Sequence, residues 1–302
     1  MENLCNICPR NCNVDRSKVL GFCKANDKIK VAKVMLHYFE EPPISGEISK
    51  GKKQNGSGAI FFSNCNLKCV FCQNGEISAN GLGKEISVST LANIFKQLED
   101  AGANNINLVS PTHYTLQILE ALKLYKPKIP VVWNTSGYEK PETIRLLKGF
   151  VDIFLTDFKY FDSNLSKKVA LAENYPEMCK LATLEMRKIQ PEDIFENGLM
   201  KKGVIVRHLV LPGQTADSKK IIHWIFDNLG NKTHLSLMSQ YTPMAGALKI
   251  KELNRTITPL EYKVLIKELE KLGFENVFLQ DFSSASSVYT PDFAKNDGVF
   301  KF

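Results

Sequence analysis

The chain of 302 residues is 44% apolar and 10% aromatic, the make-up of a protein with a packed core, which excludes a disordered or collagen-like chain. Its net charge of +7 comes from lysines scattered without a dense basic block, so the excess reads as a solvated surface and nucleic-acid binding is not expected. No apolar run approaches a membrane span, and the opening MENLCNICPR lacks the charged start and apolar centre of a secretory signal, so a cytoplasmic protein with no membrane partner is expected.

In chain order the first feature is Cys5, Cys8, Cys12 and Cys23, spaced C-x2-C-x3-C-x10-C. Four thiolates close a coordination sphere, and zinc or a fully ligated iron–sulfur cluster fits them equally. The plainest reading is a metal staple in a core-poor segment. Residues 1–57 are read as a cysteine-rich N-terminal extension and linker. They hold one strand at Ile29–Met35, an extended passage at Pro42 and Pro43, and a loop punctuated by Gly46, Gly51, Gly56 and Gly58. His37, Glu40 and Glu41 are candidate polar contacts near the site, and a solvated loop is the plainer reading of all three.

The apolar run Ala59–Phe62 is too short for a helix, and Asn64 and Asn66 mark the turn that follows it. Cys65, Cys69 and Cys72 then stand at C-x3-C-x2-C spacing. Three thiolates this close can hold three corners of a [4Fe–4S] cluster, whose fourth iron is left open. Zinc asks for a fourth ligand nearby, whereas the next histidine is His113, and a disulfide does not suit a cytosolic chain.

From there strands and helices alternate. Strands are expected at Asn105–Ser110, Ile129–Trp133, Val151–Thr156, Gly203–Leu211 and Thr233–Met238, with Val277–Gln280 as a seventh strand or edge. Helices are expected at Val88–Ala101, Thr112–Tyr125, Pro141–Lys148, a broken stretch Ser163–Glu196, Asp217–Leu229 and Pro259–Leu272. Six such units call for a parallel sheet with right-handed crossovers, an α/β partial (β/α)6 TIM-like barrel over residues 58–245. Residues 246–302 are left as a C-terminal helix and tail packed on it.

Reactive groups in such folds gather at the C-terminal strand ends. Those ends carry Ser110 and Thr112, then Asn134 and Ser136, then Asp157 and Lys159, then Arg207, then Gln240. Asp157 and Lys159, two positions apart, share a face and suit a zwitterionic ligand. The fork of Arg207 suits a carboxylate, while His208 points to the other face. Cys179 has no partner at metal spacing and reads as a small buried hydrophobe.

The run GSGAIFFSNCNLKCVFCQN resembles the cysteine signature of radical S-adenosylmethionine (radical SAM) enzymes, with flanks similar to pyruvate formate-lyase activating enzymes and their relatives. The resemblance implies that S-adenosylmethionine chelates the open iron, and that one electron cleaves it to a 5′-deoxyadenosyl radical that removes a hydrogen atom from a substrate. It implies that Lys159 meets the cofactor carboxylate and that Asp157 orients the site or a cation near it. Asn134 and Ser136 occupy a turn similar to Thr-Asn-Gly and would bond the ribose or carboxylate. Val206 to Gly213 resembles the family's Ile-Arg-x-x-Val-x-Pro-Gly run. The chain lacks the Gly-Gly-Glu turn that holds the cofactor's amino group, so carbonyls near Ser110 or the Thr112 hydroxyl would substitute, and Gln240 stands roughly where a histidine is usual. The implied partners are a one-electron donor of flavodoxin or ferredoxin type and, by analogy, a glycyl radical enzyme. The alternatives are a radical SAM enzyme acting on a peptide or small molecule, and a zinc-stapled binding module.

Overall fold

Short apolar runs closed by turn residues form strands, and in the computed structural model, which describes residues 4–46, 55–281 and 293, seven of them lie parallel in one open sheet. The strands are β1 Ile29–His37, β2 Ser57–Phe62, β3 Lys84–Ile86, β4 Ile106–Val109, β5 Val131–Thr135, β6 Ile153–Asp157, β7 Ile194–Glu196, β8 Leu199–Leu209, β9 His234–Met238 and β10 Val277–Leu279. Their order is β10-β9-β8-β6-β5-β4-β2-β1-β3, with β7 paired only to β8. The helices are α1 Pro42–Ser45, α2 Gly75–Ser78, α3 Val88–Asp100, α4 Thr115–Leu124, α5 Pro141–Leu146, α6 Ser163–Ala170, α7 Tyr175–Ile189, α8 Thr215–Leu229 and α9 Pro259–Leu272. This is the expected α/β barrel of six strand–helix units, and β10 adds a seventh parallel strand at the edge. Gly51 and the tail positions 282–292 and 294–302 lie outside the described residues.

Local chemistry sets the helix ends. The Ser87 hydroxyl accepts from the Thr90 amide to start α3, and Thr258 and Glu261 form a reciprocal capping box at α9, which stops at Gly273 in the left-handed region. The expected helical stretch 163–196 proves to be α6, α7 and then the short strand β7. Asn197 (φ 52°) and Gly198 (φ 78°) turn β7 back onto β8 as a two-residue hairpin, which is why β8 begins at Leu199 rather than Gly203.

Residues 29–46, placed in the N-terminal segment by sequence, belong to the barrel. β1 runs antiparallel to β2, and α1 plugs the interior. Ile44 packs there with Val132, Ile153, Leu155, Met200 and Ile205, all nearly or fully buried. Each large side chain so buried contributes about 1.5–3 kcal/mol. His37 and Glu41 are buried as well and Glu40 is half-buried, so the solvated-loop reading of these three is corrected: His37 ends β1, and Glu40 and Glu41 lead into the plug. Strand alternation makes the interior apolar at one end and polar at the other, because Ile153 and Leu155 precede Asp157 just as Ile205 precedes Arg207.

Two buried histidines staple this frame. His113 Nε2 donates to the Ser63 carbonyl (2.7 Å), and His208 Nδ1 donates to the Phe158 carbonyl (2.7 Å) while Nε2 accepts from Ser218 Oγ (2.8 Å). Burial holds His113 down to about 3 and His208 down to about 4. An unfolded histidine takes a proton near pH 6.5, so each group contributes stability that is complete above that value and is lost as the pH falls towards the folded pKa. Denaturation midpoints are therefore expected to fall steadily from pH 7 to pH 5, with each residue contributing about 1.4 kcal/mol per pH unit below its unfolded pKa. Replacing His208 with glutamine should flatten the profile, and an unchanged slope would refute the assignment.

Candidate active site

The cysteine loop leaves β2 through Asn64, whose left-handed backbone (φ 73°) lets its amide donate to the Ile77 carbonyl at 2.7 Å. The amides of Lys68 and Val70 donate to Ala170 and Val169, which pins the loop to the end of α6. Each sulfur meets a hydrogen-bond partner, and Cys65 Sγ also lies 3.8 Å from Asn66 Oδ1. The Leu67 amide donates to Cys65 Sγ (3.4 Å), the Tyr160 hydroxyl donates to Cys69 Sγ (3.5 Å), and Ser78 Oγ lies 3.2 Å from Cys72 Sγ. Burial, with the neighbouring sulfurs adding to it, pushes Cys65 up to about 12 and Cys69 up to about 11. Thiols in that state ionise when a metal centre takes them.

This donor set fits a [4Fe–4S] cluster. All three ligands are soft sulfurs, and each has a hydrogen bond suited to a thiolate.

Tyr160 is fully buried, and burial together with Cys69 raises its hydroxyl well above the ordinary value, so it remains a donor. A hydrogen bond to a ligating sulfur favours the reduced cluster. Tyr160→Phe is expected to lower the potential of the reconstituted cluster by roughly 30–60 mV, since 59 mV corresponds to about 1.4 kcal/mol for one electron. A potentiometric titration followed by electron paramagnetic resonance reads this, and an unchanged potential would refute the bond.

The three cysteines open onto a cavity of about 230 Å³ that also receives Ser110, Asn134, Ser136, Asp157, Lys159, Arg207 and Gln240. Arg207 is its hub. Nε donates to Asp157 Oδ1 (2.8 Å), Nη1 to Glu40 Oε2 (3.0 Å) and Nη2 to Asn134 Oδ1 (2.6 Å). Lys159 Nζ donates to Asp157 Oδ2 at 2.5 Å. Burial alone would raise the Asp157 carboxyl, but Arg207 and then Lys159 outweigh it and hold it below the usual range. Burial would likewise depress Lys159, and Asp157 and Cys69 reverse that. The cavity thus offers a fixed charge pair beside the sulfurs, which suits a ligand with its own amino and carboxylate groups.

Ser110 sits at the end of β4 in the left-handed region (φ 58°), an uncommon state for a residue with a side chain, and its amide donates to the Asn134 carbonyl (2.9 Å). Gln280 donates to Gln240 Oε1 (3.1 Å), so the Gln240 amide is held at the cavity wall. Thr112 is not at this wall. Its hydroxyl donates to Glu139 Oε1 (2.7 Å), an atom shared with Trp133 and Thr135.

Several residues shape the site in ways that sequence reasoning did not assign. Glu40 accepts from Asn107, Asn134 and Arg207. The Tyr175 hydroxyl donates to the Ser136 carbonyl (2.8 Å), lies 3.1 Å from the Asp157 carbonyl and accepts from the Lys159 amide (2.9 Å), tying two strand ends together. Cys179 is buried beside them and donates to the Asp157 carbonyl (3.4 Å), as a packing residue would.

Residues 59–225 match the Radical SAM superfamily. An uncharacterized protein of Methanocaldococcus jannaschii is 32% identical over 284 residues, 91% of this chain and 76% of the relative. The structure is similar to SuiB of Streptococcus suis, crystallised with its precursor peptide SuiA, with a TM-score of 0.50 and 12% identity over 73% of this chain and 48% of SuiB. That likeness shows the fold alone, and the chain spans about half the length of SuiB. With more than half its residues matched in sequence, the chain belongs to the radical SAM superfamily.

Proposed function

We propose that the protein binds a [4Fe–4S] cluster on Cys65, Cys69 and Cys72 and S-adenosylmethionine beside it, and that it abstracts a hydrogen atom as an activating enzyme for a glycyl radical partner. One observation carries the reading: the three sulfurs and the Asp157, Lys159 and Arg207 charge network open onto the same cavity. When bound, the two groups supply one-electron cleavage of a sulfonium bond. The protein's own part is positioning. Lys159 and Arg207 meet the cofactor carboxylate, Asp157 and the Ser110 carbonyl take its amino group, and Asn134 and Ser136 orient the remainder. Phe61, Phe62 and Phe71 line the same cavity and keep water from the cleaved bond. The activating-type reading is supported by the Asp-x-Lys element and the Arg207 run lying together at the cavity.

The test is anaerobic reconstitution with iron and sulfide, then reduction with S-adenosylmethionine present. The expected product is 5′-deoxyadenosine, with a glycyl radical signal when a glycyl radical partner is added. An intact cluster that leaves S-adenosylmethionine uncleaved would overturn the proposal. Turnover on peptides or small molecules with no glycyl radical would move the substrate to that class.

A further inference from the structure

We infer that the cavity at the N-terminal mouth of the barrel is a second small-molecule site, built for a nucleobase that carries no phosphate. It lies across α1 from the sulfurs and stands independently of the function proposed above.

The plug separates the two cavities. Pro42, Pro43 and Ser45 of α1 wall this one, whereas Glu40, just ahead of α1, lines the cavity of the cysteines. Ile44 fills the barrel between them. The volume, about 720 Å³, is larger than that of the cavity beside the cysteines. It falls within the range of about 300–1,000 Å³ that is usual for small-molecule sites. The facing wall comes from strand starts: β9 opens with His234 and β10 with Val277 and Phe278, and the β7–β8 hairpin adds Phe195 and Asn197.

His234 is the fixed polar group of this wall. Its Nδ1 donates to Asp193 Oδ2 at 3.1 Å. Asp193 is gripped in turn by Arg187 Nη1 and Nη2 (2.9 and 3.2 Å) and by the Val204 amide (3.0 Å). Burial alone would raise that carboxyl, but His234, Arg187 and the Val204 amide outweigh it and bring it down to about 2. An ionised carboxylate keeps the shared proton on Nδ1, so Nε2 of the neutral ring is an acceptor. Nε2 makes no hydrogen bond to the described residues. Tying β7 to β9 needs Nδ1 alone, and it gives no use to the second nitrogen.

The rings beside it supply a stacking surface. Phe195 lies 4.9 Å from the His234 ring at 40°, and Phe278 lies 6.0 Å from it at 23°. Phe195 is nevertheless 39% exposed, an aromatic face left to water at the cavity wall. Asn104 and Asn276, in the same wall, commit their side-chain nitrogens to the carbonyls of Ser45 and Lys232 (both 2.8 Å), which leaves each Oδ1 as an acceptor. Aromatic faces take the plane of a base, and amide and imidazole acceptors take the N–H groups on its edge. Among the described residues no lysine or arginine lines the cavity, whereas Glu275 does. A phosphate would meet a carboxylate there instead of the cations that hold it elsewhere, so the occupant is a free base or a nucleoside.

The experiment uses the reconstituted full chain, with adenine as the probe. Equilibrium dialysis against radiolabelled adenine is expected to show saturable binding, displaced by adenosine at least as well as by adenosine monophosphate. No saturable binding overturns the site, and displacement at least about tenfold better by the monophosphate overturns the phosphate-free occupant. Photolabelling of the wild type with 2-azidoadenine locates the bound base without any substitution. Label within residues 193–199 or 275–278 that adenine competes away supports the site, and label found only elsewhere overturns it. His234→Phe keeps a ring and loses the acceptor, and Phe278→Leu loses a stacking face; each is expected to weaken adenine binding by at least about fivefold. Unchanged affinity in both variants overturns the assignment. None of these readings involves cleavage of S-adenosylmethionine, so this site and the function proposed above fail separately.

Discussion

Arg207→Leu is expected to cost about 3–5 kcal/mol of stability, the usual result of removing one partner from a buried ion pair, and to weaken S-adenosylmethionine binding by at least about tenfold. Arg207 faces Asp157 and Glu40 with a side chain only 13% exposed, and Glu41 lies near enough for the same cation to favour its ionisation. Without the guanidinium, Lys159 neutralises Asp157 alone, and Glu40 is left with the amides of Asn107 and Asn134. Burial already raises the Glu41 carboxyl and Arg207 opposes that, so without the guanidinium its folded pKa rises further above the unfolded one, and its contribution is retained at low pH and lost as the pH rises. The variant's deficit is therefore expected to be smaller at pH 5 than at pH 8. Arg207→Lys should fall between, since it keeps the charge but loses the fork that reaches three acceptors at once. Denaturation and equilibrium binding to the reconstituted protein check these outcomes, and a loss under about 1 kcal/mol would remove Arg207 from its place as the hub.

That hub also shows what a sequence discloses and what it withholds. The cysteine loop is legible because cluster ligation is a local matter of spacing, and the barrel is legible because apolar strands and amphipathic helices alternate. Asp157, Lys159 and Arg207 follow from the rule that strand ends carry the chemistry. Glu40 does not, because its partners Asn107, Asn134 and Arg207 lie 67, 94 and 167 residues away and no local pattern marks the plug that delivers it. No sequence pattern singles out Tyr160 or Tyr175, and only the fold shows where their hydroxyls end. Thr112 was expected at the cavity, but a turn of 3-10 helix begins there and swings its hydroxyl to Glu139. The β7–β8 hairpin was legible in principle, since Asn197-Gly198 is a strong turn signal, yet the helical periodicity before it masked the strand.

Gly137→Ala is expected to be nearly as damaging, for a reason that involves no charge. Gly137 follows Ser136 with φ 76°, and a Cβ there would lie 2.2 Å from the Asp157 carbonyl oxygen, 2.8 Å from Cys179 Sγ and 3.3 Å from Tyr175 Oη. The left-handed backbone alone costs an alanine about 1–3 kcal/mol, and forcing apart a packed contact adds about 1–3 kcal/mol. Gly149 is the internal control, because it has φ 84° and nothing within 4 Å of its added Cβ, so Gly149→Ala should show the backbone cost alone. Changing Cys179 to alanine in the Gly137→Ala background should relieve little, since the nearest obstacle is backbone. What must move is the junction where Tyr175 ties Ser136 to Asp157 and Lys159, so the displacement reaches the charge pair in the cavity. Gly137→Ala is thus expected to weaken S-adenosylmethionine binding while leaving the iron content of Cys65, Cys69 and Cys72 unchanged. Equal stability losses at Gly137 and Gly149 would mean that the two strand ends yield freely, and that the tight approach there does not set the position of Asp157.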